Sequence, residues 1–228
     1  MTMSVASMAS TICVADRQYG LEVFPMSFLK NIQEIRNRAR QQIENGAVTK
    51  NYTLNREQAI SILNEALATE LVCVLRYKFH YFMATGIHSA AVADKFREHA
   101  NEEQGHADRI ARRITQLGGK PQMHPAVIAK ESHSEYREGT SLADMIREDL
   151  VAERIAIETY REIVDYFGEQ DPTSRILMEE ILATEEEHAN ELADLLFAVE
   201  PNTGKTSRSQ YFGDEVPGQG NPARTGKA

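Results

Sequence analysis

Between residues 53 and 200 the chain falls into four long stretches in which apolar side chains return every three or four positions, the spacing of one helical face. The first opens at Asn55, with Gln58 three residues on as a capping pair. It sets Leu63, Leu67, Glu70, Val74, Tyr77 and Tyr81 on one stripe and ends near Thr85-Gly86. The second runs from about Ser89 to Leu117, aligning Val92, Phe96, His99, Glu103, His106, Ile110 and Leu117, and Gly118-Gly119-Lys120-Pro121 stops it. Gly118 to about Thr140 holds two prolines and little apolar period, so it is predicted as an irregular connection much longer than an ordinary loop. The third stretch starts at Ser141, lines up Ile146, Leu150, Glu153, Ile157, Tyr160 and Val164, and closes at Phe167-Gly168. Asp171-Pro172 then supplies an N-cap and a first-turn proline for the fourth, which carries Leu177, Ile181, Glu185, His188, Leu192 and Leu195 as far as Glu200-Pro201.

No stretch shows the alternation of a strand, so the predicted class is all-α. Connections that are short, long and short make two antiparallel hairpins joined by a crossover along a four-helix bundle. The bundle is expected to occupy residues 53–200. Residues 1–52 form an arm: 1–24 have no sustained period, and Ser27 to about Glu44 reads as an amphipathic helix. Its apolar side carries Phe28, Leu29, Ile32, Ile35, Ala39 and Ile43, and Lys30, Arg36, Arg38 and Arg40 fall mostly on other faces. Such a helix is expected to dock on the body or on a neighbouring subunit. Residues 201–228 turn to Gly, Pro, Ser, Thr and charge, the composition of a polar tail without a core of its own.

Composition narrows the functional classes. With 228 residues and 42% hydrophobic content the chain has enough apolar material for one full core. Cys13 and Cys73 lie far apart and outside any CxxC pattern, which argues against a disulfide scaffold or thiolate metal site and suits a reducing compartment. The N-terminal residues lack the basic and apolar regions of a secretory signal, and no run approaches the roughly 18 apolar residues of a membrane span. A cytoplasmic protein without membrane contact is the expectation. The formal net charge is −9, and residues 53–200 carry 15 Lys and Arg against 28 Asp and Glu. Such a body repels nucleic acid, and only the tails are suited to attract it.

The candidate chemistry lies where charge interrupts the stripes. Each stripe contains a Glu among its apolar residues, and two of the four continue as Glu-x-x-His: Glu103 with His106, and Glu185 with His188. Glu70 stands 33 residues before Glu103, and Glu153 stands 32 before Glu185. One Glu-x-x-His is commonplace and usually belongs to a solvated face. Duplicated at this spacing, it points to one site built twice. Four carboxylates converging on a core need a cationic partner, and the stripes contain no Lys or Arg. Two divalent cations match four carboxylates, and oxygen ligands with one histidine per metal favour iron or manganese over copper. The absence of an aligned cysteine argues against a closed zinc site. Glu70 and Glu153 are expected as terminal ligands, Glu103 and Glu185 as bridging ones. Tyr77 and Tyr160, two turns beyond the lone glutamates, are placed to donate hydrogen bonds or an electron, although core tyrosines satisfy the same spacing. His99 and Glu102, about one turn before the site, suit either an ion path or an ordinary surface pair. His80, His88, His124 and His133 have no distinguishing spacing, and Cys73 reads as a small core residue.

A Glu from each of two helices with Glu-x-x-His from each of two others is the ligand pattern of ferritin-like carboxylate proteins. The stretches Asn64-Glu65-Ala66-Leu67-Ala68-Thr69-Glu70-Leu71, Glu103-Gln104-Gly105-His106-Ala107-Asp108-Arg109, Asp149-Leu150-Val151-Ala152-Glu153 and Glu185-Glu186-Glu187-His188 resemble the bacterioferritin branch over about residues 54–198. That resemblance implies a ferritin-like fold and a di-iron site within one subunit, holding two iron ions per subunit on Glu70, Glu103, His106, Glu153, Glu185 and His188. It also implies ferroxidase activity on Fe(II) with hydrogen peroxide or dioxygen, and iron storage or detoxification in a hollow homo-oligomeric cage. Two departures refine it. Gln104 stands where bacterioferritin has a haem-ligating methionine, so no haem is expected. The tail after Pro201 shows no fifth helix, so the 12-subunit Dps-like group is the nearer resemblance. The cysteine pair of that group's thiol-bearing members is not matched by Cys13 and Cys73. Two other classes stay open at this point: a non-storing di-metal peroxidase or manganese catalase in a smaller oligomer, and a DNA-protecting structural protein that uses Arg36, Arg38 and Arg40.

Overall fold

The structure, a computed structural model, describes residues 32–86 and 89–200. The start of the predicted arm helix, Cys13, His88 and the tail from residue 201 lie outside the described residues. Among the described residues there are six α-helices and no strand. They are α1 (Ile32–Ala39), α2 (Arg56–Met83), α3 (Ser89–Gln116), α4 (Pro125–Glu131), α5 (Leu142–Phe167) and α6 (Pro172–Val199). The four long helices are the four predicted stretches. α2 packs along α3 and α5 along α6, and α2–α5 and α3–α6 contacts close the two hairpins into one bundle.

Local chemistry sets the helix ends. The side chains of Asn55, Ser141 and Asp171 cap α2, α5 and α6, accepting from the backbone N–H of Gln58, Asp144 and Ser174. α3 ends in a glycine pair. Gly118 takes φ +77°, and a Cβ on Gly119 would meet Ile60 at 2.8 Å, so both positions require glycine for different reasons.

The core is divided by a polar layer. On one side Leu63, Leu67, Ile110, Tyr160, Phe167, Met178 and Ile181 pack together, and on the other Tyr77, Val92, Phe96, Ile146 and Leu192 do so. The charged stripe positions lie between these two apolar clusters. α2 is long and apolar enough by length and composition to cross a membrane, yet 56% of its most apolar stretch is buried inside the chain, and it carries Glu70 and Arg76.

Two features differ from the sequence expectation. The connection after α3 contains α4, one short helix that starts on Pro125 and packs against α2. Seven residues with a first-turn proline leave too little apolar period to stand out in sequence. The arm helix ends earlier than predicted: α1 stops at Ala39, Gln42 adopts a left-handed conformation at φ +52°, and Ile43–Asn45 form a separate 3-10 turn. No residue of α1 is buried, and Ile32 is 51% exposed. The following segment does reach the bundle. Val48, Tyr52 and Leu54 lie against the first core cluster, and the Tyr52 hydroxyl donates to Asp171 at 3.0 Å.

The long crossover is held by a buried ionic network. Asp149 on α5 accepts from Arg76 Nε and faces His80 Nδ1, both at 2.8 Å and both from α2. Arg76 also donates to the Ser134 hydroxyl and the Glu135 carbonyl, and His80 Nε2 faces the carbonyls of Arg137 and Glu138 at 3.1 and 3.0 Å. Removing the carboxylate leaves Arg76 buried without a counter-charge. Asp149→Ala should therefore cost about 3–5 kcal/mol in urea unfolding, whereas Glu135→Ala, which breaks only the exposed pair with Arg137, should cost less than about 1 kcal/mol. Equal costs would refute this account of the crossover.

Candidate metal centre

Helical geometry places the site side chains. Residues three or four apart share a face, so Glu103 and His106 on α3, and Glu185 and His188 on α6, point the same way from successive turns. Glu70 on α2 and Glu153 on α5 meet them from the other two helices, and all six are buried.

Two sets of four groups result. In one, Glu70, Glu103, His106 and Glu185 bring ligand-type atoms within 4.8 Å of one another; in the other, Glu103, Glu153, Glu185 and His188 do so. Glu103 and Glu185 belong to both sets. His106 Nδ1 lies 3.0 Å from Glu185 Oε1, 3.3 Å from Glu103 Oε2 and 3.4 Å from Glu70 Oε2. His188 Nδ1 lies 3.2 Å from Glu103 Oε1 and 3.4 Å from Glu185 Oε2. These approaches leave much of the polar capacity unused. Glu70 Oε2, Glu103 Oε1, Glu153 Oε2, both Glu185 carboxylate oxygens and His188 Nδ1 are buried without hydrogen-bond geometry to any partner. Orphaned buried acceptors at this density fit a donor set built for cations.

The two tyrosines cross between the halves. Tyr77, from the helix of Glu70, donates to Glu153, and Tyr160, from the helix of Glu153, donates to Glu70. Each phenol is fully buried in one of the two apolar clusters, so it fixes a carboxylate from outside the layer and helps to keep water out. Burial drives both phenol pKa values well above their usual range, with Glu153 beside Tyr77 and Glu70 beside Tyr160 adding to the effect.

Charge divides the layer in two ways. Burial, reinforced by neighbouring Glu103, lifts Glu70 to about 8, and burial with Glu103 and Glu185 nearby lifts Glu153 well above its usual range. Burial works the same way on Glu103 and Glu185, but the close approach of both imidazoles outweighs it and holds both below the ordinary value. Burial opposes charge on the imidazoles, yet the surrounding carboxylates win, raising His106 strongly and His188 to about 12.

The His188 side holds more than an ordinary surface pair. His99 is fully buried, stacks on the His188 ring at 3.9 Å and lies 3.2 Å from the Tyr77 hydroxyl. Its Nε2–H donates to Glu191 at 2.9 Å, and the Nε2–H of His188 donates to Glu102 at 2.7 Å. Hydrogen bonds of this kind fix ring orientation and leave Nδ1 facing the site. The available signals were the place of His99 one turn before Glu103 and that of Glu191 one turn after His188. His80, undistinguished in sequence, serves the crossover instead. Cys73 is buried as expected, and burial pushes its thiol pKa well up. Gln104 is half-buried and donates to Asp108 at 2.9 Å.

The family model of the ferritin-like domain matches residues 60–200. The bacterioferritin of Rhodobacter capsulatus is 33% identical over 134 residues, 58% of this chain and 79% of that protein. The nutrient stress-induced DNA-binding protein of Synechococcus is 30% identical over 139 residues, 59% of this chain and 78% of that protein. Among solved structures, the dodecameric thioferritin of Bacteroides fragilis, a bacterioferritin-related protein, matches with a TM-score of 0.63 and 32% identity, covering 65% of this chain and 89% of its own.

The charge pattern sets a proton balance. In the metal-free layer burial favours the protonated forms of Glu70 and Glu153, while the imidazoles and the ionised carboxylates of Glu103 and Glu185 favour one another's charge. Metal ligation requires ionised carboxylates and neutral imidazoles, so a divalent cation held in this layer would displace protons. A raised carboxyl pKa means that the proton is held below it and lost above it. Above about pH 8 Glu70 is already ionised and fewer protons remain to be displaced. Titration of the metal-free protein with Mn(II) in weakly buffered solution should show this release, with apparent affinity weakening as pH falls. Affinity independent of pH would contradict the assignment.

Proposed function

Since the chain belongs to the family of ferritin-like domains, we propose that it is a ferroxidase that takes two Fe(II) ions as substrate within one subunit. The observation that carries this reading is the sharing of Glu103 and Glu185 by two otherwise distinct four-group sets. Shared carboxylates are suited to hold two cations side by side. Glu70 and His106 complete one position, and Glu153 and His188 complete the other.

The residues divide the work between them. The four carboxylates balance the charge of two divalent ions, while the histidines add one nitrogen donor to each position. Tyr77 and Tyr160 orient the terminal carboxylates through their hydroxyls, and the apolar clusters on both sides keep the layer dry. Each Fe(II) gives up one electron on oxidation. Together the pair supplies the two electrons that reduce hydrogen peroxide to two waters or dioxygen to hydrogen peroxide, with protons taken from solution.

The relatives supply the setting for the product. Bacterioferritins and a dodecameric thioferritin lie among the similar proteins. The proposal therefore extends to a hollow homo-oligomeric cage, of 12 subunits by analogy with the latter, in which Fe(III) is stored. An acidic body favours cations in such a shell, since residues 53–200 carry 28 acidic against 15 basic side chains. Gln104 offers no thioether, so haem has no part in the proposal.

Glu103→Ala and His188→Ala should each abolish rapid Fe(II) oxidation, followed by absorbance after aerobic mixing of anaerobically loaded protein. Native mass measurement should give a 12-subunit assembly with two irons per subunit at low loading. Wild-type oxidation rates in both variants would rule the proposal out.

A further inference from the structure

Tyr77 has one hydroxyl hydrogen and two buried partners for it. Its oxygen is hydrogen-bonded to Glu153 Oε1 and lies 3.2 Å from His99 Nδ1. The Nε2–H of His99 is committed to Glu191 at 2.9 Å, so Nδ1 of the neutral ring is a bare acceptor facing the phenol. Burial favours that neutral form. Four side chains thus make one unbroken run of hydrogen bonds, from Glu153 through Tyr77 and across the His99 ring to Glu191. Glu153, Tyr77 and His99 are fully buried, while the Glu191 side chain is 37% exposed. The run starts in the dry layer and ends at water.

The His99 ring is held in place along this run. It stacks on His188 at 3.9 Å and 17°, and it meets the Tyr77 ring edge-on at 5.2 Å. Turning the ring would break both contacts, so its two nitrogens stay aimed at Tyr77 and Glu191. The other half has no such run. A shift of 82 residues carries Glu103 onto Glu185 and His106 onto His188, and the same shift sets His99 against Ile181, whose side chain has no donor or acceptor. Tyr160, the counterpart of Tyr77, has Glu70 as its one hydrogen-bond partner among the described residues.

We propose that Tyr77, His99 and Glu191 form a proton relay that carries the proton of Glu153 to solvent when a divalent cation takes up that carboxylate. The relay rests on the reading of the six-residue centre as a two-cation site. When the phenol hydrogen points to His99, the Glu153 carboxyl donates to the phenol oxygen. The carboxyl O–H then breaks as a new O–H forms on Tyr77, and the old phenol hydrogen passes to Nδ1. The Nε2 hydrogen passes to Glu191, which gives it to water. Each link gains one proton as it loses one, so no charge is stranded between the layer and the surface. The transfer leaves the Tyr77 hydroxyl donating to an ionised Glu153 and His99 protonated on Nδ1. Loss of the cation runs the same steps backward and restores the first tautomer, so the stacked ring never has to rotate.

The test mixes the metal-free full chain anaerobically with two Co(II) per subunit in weakly buffered solution. An indicator dye reads proton release, and the visible absorption of bound Co(II) reads uptake. In wild type the release should slow in D2O, because several protons move along the run. His99→Phe keeps a flat ring against His188 but removes both nitrogens. Glu191→Gln keeps an acceptor for the Nε2–H but cannot take the proton, and its partial exposure keeps the test open should His99→Phe fold poorly. Each variant should slow part of the release about tenfold or more. The final number of protons released and the Co(II) affinity should stay at wild-type values, because a relay changes rates and not end states. A residue that merely supports the layer would shift the affinity. A wild-type rate in either folded variant, a loss of affinity, or a wild-type release that is the same in D2O overturns the proposal. Failure of wild type to bind two Co(II) overturns the two-cation reading instead.

Discussion

Four carboxylates buried in one dry layer are the constraint on which the rest of the bundle depends. Taking an ionised carboxylate out of water costs several kcal/mol even after the surroundings relax. Without a cation, the layer meets that cost by protonating Glu70 and Glu153 and charging both imidazoles. Even so, many of its acceptors are left unpaired. A polar layer that the chain's own side chains leave incompletely paired separates the apolar core into two clusters. Hydrophobic packing holds the four helices at a fixed distance, and the polar layer does not have to hold them.

Other buried acids in the chain are handled in a different way. Asp149 is neutralised by Arg76 and faces His80, while Asp171 receives Arg113, Ser174 and Tyr52. Those acids are paired within the chain, and each fastens a segment that helical packing alone would leave loose: the crossover in one case, the approach to α2 in the other. The contrast gives the centre its meaning. The fold supplies arginine to buried acids that serve structure and withholds it from the four that converge on the layer.

Much of this was legible in sequence, for a physical reason. Helical period, caps and glycine stops are local properties, so the four long helices and their order followed directly from Asn55, Ser141, Asp171 and the Gly118-Gly119 pair. The centre was legible because it is written twice, and chance seldom repeats a lone Glu followed at 32 or 33 residues by Glu-x-x-His. What stayed hidden depends on distant partners. His80 and Arg76 have no periodic signature because Asp149 and the crossover carbonyls that receive them lie more than 50 residues away. The short α4 offered too few apolar repeats, and the break at Gln42 rests on a backbone conformation that glutamine does not announce. His99 was on the right stripe, but only the register of α3 against α6 shows that Glu191 meets it.

That register also shows how the two halves of a duplicated motif come to differ. Here the ligands are kept equivalent while the residues one turn away diverge. His99, Glu102 and Glu191 border one half, and Ile181, Thr184 and Arg109 border the other. Because these neighbours are not among the six central groups, they are free to change without disturbing the charge balance of the layer. The asymmetry between the two halves therefore lies outside the six central groups, along the seam between α3 and α6.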